Sequence, residues 1–157
     1  MLRTTLVVIH AAAGIIGLVA GLVAFRPPER SDRSRRLGAY VACLAILLLT
    51  LVTLIGVDWP QLDVTARIAF VALTGLGVVM MYRIIRAWRE ATARSGGWPA
   101  RYIGHVYFTY VSLWIGFLVL PALNLPYPQF SVPVLAVIVL LLGNLLVTRF
   151  KKRVLPP

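Results

Sequence analysis

From Tyr102 to Thr148 the chain carries 47 consecutive residues without a formal charge. No soluble domain can keep such a segment wetted, so a lipid environment is the solvent this chain must be folded for. One crossing of a bilayer takes about 20 residues of helix, so the run is long enough for two. It also supplies its own break at Pro121-Ala-Leu-Asn-Leu-Pro126-Tyr-Pro128-Gln129, where prolines remove backbone donors and push their neighbours out of helical geometry. Spans at about 102–123 and 132–148 follow.

The rest of the chain obeys the same constraint. Hydrophobic residues make up 60% of the 157 and charged residues 13%, with a mean hydropathy of +0.87. Thr4–Phe25 gives 22 uncharged residues and Leu37–Val57 gives 21, each one span. Between Arg67 and Arg83 lie only 15 uncharged residues, about 22 Å of helix against a hydrocarbon core of ~30 Å. Long arginine side chains snorkel, and Ile84, Ile85, Ala87 and Trp88 extend the apolar face, so the third span is set at about 66–88. The expected fold is therefore an all-α, polytopic transmembrane helical bundle of five spans, one domain over residues 1–157.

Sidedness comes from the basic residues. Lys and Arg number 5 in the first loop, 5 in the third and 4 in the tail, while Arg3 and Arg67 alone mark the other side. The positive-inside rule then puts the N-terminus outside and the C-terminus in the cytoplasm. The net charge of +11 belongs to this pattern and to anionic lipid headgroups, with Arg83, Arg86 and Arg89 at spacing three as the headgroup anchors. Nothing resembles a nucleic-acid-binding motif, so nucleic acid is excluded as a partner. Glu90 is placed to pair with Arg86 or Arg94, four residues away on either side. The first apolar run is too long for a signal peptide and leads into Arg26-Pro-Pro-Glu-Arg30 without a small-residue cleavage site, so it reads as a retained span.

Span one carries a stripe in which His10, Gly14, Gly17 and Gly21 share one side. In lipid, such glycines let another backbone approach closely, so this stripe is the expected packing face. The Gly17-x-x-x-Gly21 pair is also a candidate surface for a second copy. Span four presents Arg101, His105, Thr109, Ser112 and Gly116 on one polar, small face, and Asn144 beside Gly143 offers an amide from span five. Cys43, the one cysteine, is read as a small core residue. The chain has no Gly-x-Ser-x-Gly, no His-Glu-x-x-His and no acid within a span, so hydrolysis and proton relay lack their residues.

His10 and His105 are the only histidines, and both fall within spans. Ionisable groups there are functional candidates by default. Paired imidazoles between helices hold haem b in membrane electron carriers. Here the two lie at depths differing by ~15 Å under the five-span topology, which disfavours a shared haem. Separate single-ligand haems, a quinone held by one histidine, and simple interhelical hydrogen bonding stay open. The leading reading is a non-enzymatic accessory or assembly partner without a cofactor. The alternative is a haem- or quinone-linked electron carrier using His10 or His105.

The motifs His10-x-x-x-Gly14, Ser34-Arg35-Arg36-Leu37-Gly38-Ala39-Tyr40, and His105 followed by Tyr110-Val-Ser-Leu-Trp-Ile-Gly-Phe117 resemble those of a family of small bacterial membrane proteins of unknown function. Pro133 and Gly143 fit the last helix of that pattern. The chain departs from it at Ser34, where the family has histidine, which removes one candidate ligand. The resemblance implies a multi-pass protein of the bacterial cytoplasmic membrane and carries no mechanism.

Overall fold

The computed structural model describes residues 1–25, 33–122, 125 and 127–154. Along these run α1 (Leu2–Ala24), α2 (Arg33–Asp58), α3 (Val64–Ala93), α4 (Trp98–Ala122) and α5 (Pro128–Val154), with a short 3₁₀ turn at Trp59–Gln61. All five helices are long and apolar enough to cross a membrane. The protein is a multispan integral membrane protein, all-helical. Of the expected breaks, Pro27–Pro28 and residues 123, 124 and 126 lie outside the described residues.

The helices outrun their uncharged cores. At 30 residues α3 is ~45 Å long, and it carries Arg83, Arg86 and Arg89 within the helix. A helix leaving the hydrocarbon gains nothing by unwinding, because its backbone bonds stay satisfied and arginine favours helix. For the same reason α2 begins at Arg33 rather than Leu37, and α5 runs on to Val154 rather than Thr148. Proline moves two starts toward the N-terminus: α4 opens at Trp98-Pro99 and α5 at Pro128. In a first helical turn the fixed φ suits the backbone and the missing N–H has no partner to lose. Asp63 caps α3, its carboxylate accepting from the Ala66 amide at 2.7 Å. Arg94, left-handed at φ 48°, ends it.

Helix α1 lies against α2 and α3 against α4. Contacts of α2 with α3 and of α1 with α4 close these pairs into a four-helix bundle, while α5 packs on α4. Helix directions alternate. Arg3 Nε pairs with Asp58 Oδ2 at 2.9 Å at one end. At the other end the Tyr102 hydroxyl donates to the Ala24 carbonyl at 2.8 Å, satisfying an orphan acceptor in the last turn of α1. Arg35, Arg36, the arginines from 83 to 101 and Arg149 thus gather at one end of the bundle, and Asp58, Asp63 and Arg67 at the opposite end.

The two halves are packed differently. Between α1, α2, α3 and α4 the arginine-rich half is filled: Leu37, Tyr40, Met80, Ile84, Ala87, Tyr102, Ile103 and Val106 form a continuous buried core. The opposite half holds a cavity.

Candidate functional site

The cavity lies between α1, α2, α3 and α4 and encloses about 410 Å³. Its walls are Leu47, Leu48, Leu51, Phe70, Leu73, Leu76 and Phe117, with His10 and Ser112 as the polar side chains and Met80 as the thioether. Gly14, Gly77 and Gly116 all line it, and a methyl group built on Gly116 would touch nothing within 4 Å. Gly116 leaves part of this room, whereas Gly14 and Gly77 are already packed, a Cβ on them meeting Phe117 at 3.3 Å and Leu48 at 2.7 Å.

His10 is fixed by Thr50 of α2, Nδ1 to Oγ1 at 3.0 Å. The same hydroxyl lies 2.8 Å from the Ile46 carbonyl and 3.0 Å from the Leu47 carbonyl. A hydroxyl has one proton and carbonyls only accept, so that proton goes to the helix backbone and the hydroxyl accepts from His10 Nδ1–H. Nε2 is left as an acceptor on a ring that lines an apolar chamber. Ser112, 2% exposed, lines the same chamber.

His105 belongs to a different place. It lines a cleft of about 900 Å³ between α3, α4 and α5, together with Arg83, Arg86, Arg101, Phe108, Leu140 and Asn144. Arg83 Nη1 lies 3.4 Å from His105 Nδ1, and its guanidinium stacks over the Phe108 ring at 4.7 Å. Among the described residues the two histidines therefore face separate spaces between different helices. Among the described residues no three His, Cys, Asp or Glu side chains gather as a metal site would need.

The stripe on α4 is divided in the same way. Arg101 binds Glu90 of α3 at 2.9 Å and also donates to the Gly96 carbonyl and the Ser95 hydroxyl. Glu90 thus pairs across helices, not with Arg86 or Arg94 on its own helix. Thr109 meets the Tyr40 hydroxyl of α2 at 3.0 Å, while Ser112 and Gly116 reach the His10 cavity. Asn144 is exposed on α5 and borders the cleft. Arg86 and Arg89 are exposed near the end of α3, and only Arg86 joins the cleft.

Gly14, Gly17 and Gly21 are buried, and their neighbours come from α2 and α4: Leu47 and Phe117, Cys43 and Leu113, Tyr40 and Tyr110. The Gly17–Gly21 face is covered within the chain, so it is not a free surface for a second copy. Sequence reasoning missed the tyrosines that tie the bundle, Tyr40 to Thr109, Tyr102 to the Ala24 carbonyl and Tyr107 to the Gly143 carbonyl. It also missed Thr50. Their signal was a hydroxyl within or at the edge of an apolar run, where a buried polar group must find a partner. No protein-family model matches this chain, and no curated protein or solved structure is detectably similar to it.

Proposed function

We propose that this protein is a non-enzymatic accessory or assembly partner in a bacterial cytoplasmic membrane, with its N-terminus outside and its C-terminus inside the cell. One observation carries this reading: polar side chains within the spans are used to tie helix to helix. Tyr40, Thr50, Tyr102, Tyr107 and Thr109 each bond a neighbouring helix, which builds a scaffold and not a reaction centre. The outer face of α5, with Val134, Val137, Ile138, Leu142, Leu145 and Leu146 exposed, offers a wide apolar surface to lipid or to another membrane protein. The five basic-flanked spans supply the orientation, and the resemblance to small bacterial membrane proteins supplies the compartment.

A second reading has its own observation. The His10 ring lines an apolar cavity with Nε2 as an acceptor, and Ser112 adds a hydroxyl. The reduced, quinol form of a quinone-class head group suits this pair, one hydroxyl donating to Nε2 and the Ser112 hydroxyl donating to the oxygen of the other. That makes the protein a membrane electron carrier working through His10.

Absorption spectra of the purified protein, oxidised and then dithionite-reduced, together with solvent extraction of bound quinone, separate the two. The accessory reading expects neither a Soret band nor co-purified quinone. It also expects a photo-crosslinker at Leu145 to give one discrete protein adduct in cells. A Soret band or a stoichiometric quinone, lost in His10→Ala, would replace it with the electron-carrier reading.

A further inference from the structure

We propose that the cleft between α3, α4 and α5 binds one anionic phospholipid, its phosphate on Arg83 and Arg86 and an acyl chain along the seam between α4 and α5. The site lies between other helices than the His10 cavity and does not depend on what that cavity holds.

Charge comes first. The cleft carries Arg83, Arg86 and Arg101 against Glu90, and Glu90 is already neutralised by Arg101 at 2.9 Å. Among the described residues neither Arg83 nor Arg86 forms an ion pair. Arg83 is half-buried, and a guanidinium drawn in from water calls for an anion beside it. It is also held in place, His105 Nδ1 accepting from its Nη1 on one side and the Phe108 ring stacking on its plane. His105 is a positioning residue here.

Depth agrees. From Val64 to Arg83 the helix rises ~28 Å, close to the ~30 Å thickness of a hydrocarbon core. Arg83 therefore sits where phosphates lie when the Asp63 end of α3 marks the opposite surface.

Beyond the charged groups, His105, Tyr107 and Asn144, the cleft is apolar. Val111, Leu140, Leu141 and Val147 line it beside the arginines. A volume of about 900 Å³ is far more than a phosphate needs and lies in the range of roughly 300–1,000 Å³ that holds a drug-sized molecule. A cationic mouth on an apolar trough matches a molecule with an anionic head and a hydrocarbon tail. Basic pockets between spans recognise lipid headgroups by this chemistry.

Native mass spectrometry of the full-length protein in mild detergent, with dioleoylphosphatidylglycerol or dioleoylphosphatidylcholine added, tests the proposal. One phosphatidylglycerol should be retained per chain and phosphatidylcholine should not. Arg83→Gln and Arg86→Gln should each weaken retention about fivefold, whereas Arg89→Gln, with the same charge change outside the cleft, should not. Leu141→Trp fills the seam with charge unchanged and should also weaken it. Arg86 is exposed, so its variant keeps the fold, which a thermal melt verifies. Equal retention of the two lipids, an Arg89→Gln effect as large as that of Arg86→Gln, or displacement of the lipid by glycerol 3-phosphate would each overturn the site.

Discussion

Adding one methyl group at Gly21 and at Gly17 separates two glycines that look alike in the sequence. At Gly21 a Cβ would lie 2.8 Å from Tyr110 Cδ2 and 3.2 Å from Tyr40 Cε2. The Tyr40 ring has no room to swing, and the Tyr110 ring is held on one side. Tyr40 is fully buried and bonded to Thr109, and Tyr110 packs edge-on against Phe25 at 5.1 Å between centroids. Overpacking of this kind costs about 1–3 kcal/mol, and the gain in helix propensity on replacing glycine by alanine is ~1 kcal/mol. Gly21→Ala should therefore lose up to ~2 kcal/mol. At Gly17 the same Cβ would sit 3.5 Å from Leu113 Cδ2 and 3.6 Å from Cys43 Cβ, which is ordinary contact. Gly17→Ala should be neutral or up to ~1 kcal/mol more stable, because only the propensity term remains. Gly17→Leu drives a branched side chain into Leu113 and should melt well below wild type. Reversible unfolding by SDS in mild detergent, followed by far-UV circular dichroism, measures all three. If Gly21→Ala proves as stable as Gly17→Ala, the packing of α1 against α2 and α4 described here is wrong.

Two further outcomes follow from the helix ties. A double-mutant cycle of Tyr40→Phe and Thr109→Val should give a coupling of ~0.6 kcal/mol, up to ~1.7, the range for interhelical hydrogen bonds in membranes, and a value of zero would mean that the two hydroxyls do not meet. Gly143→Ala places a Cβ 2.9 Å from Val111 Cγ2, a stiff β-branched neighbour, so it should loosen α5 from α4, read as faster amide exchange along α5 with α1–α4 unchanged. Unchanged exchange would show that α5 is held elsewhere.

The number and rough position of the spans were legible because hydropathy acts over whole helices. Their ends were not, since a helix continues past the hydrocarbon wherever nothing stops it. The 15 uncharged residues before Arg83 understate a helix that runs from Val64 to Ala93. The polar stripe of span four was readable as a stripe but not as a site. Because α4 meets α1, α2, α3 and α5, residues on one side of it find different neighbours at different depths. Arg101 finds Glu90, Thr109 finds Tyr40, and Ser112 and Gly116 open on the His10 cavity. Periodicity gives the direction of a side chain and leaves out which helix stands there. The Thr50 partner of His10, 40 residues away, required the fold.

Sidedness of the bundle is the claim on which the rest of the account hangs, since five spans put the two termini on opposite sides. In a Cys43→Ser background, Gln61→Cys and Ser95→Cys place single thiols at the exposed α2–α3 and α3–α4 turns. Intact cells treated with an impermeant thiol reagent should label the cysteine at 61 and leave that at 95 unlabelled until lysis. Labelling of both from outside, or of 95 alone, would contradict the five-span, N-out arrangement.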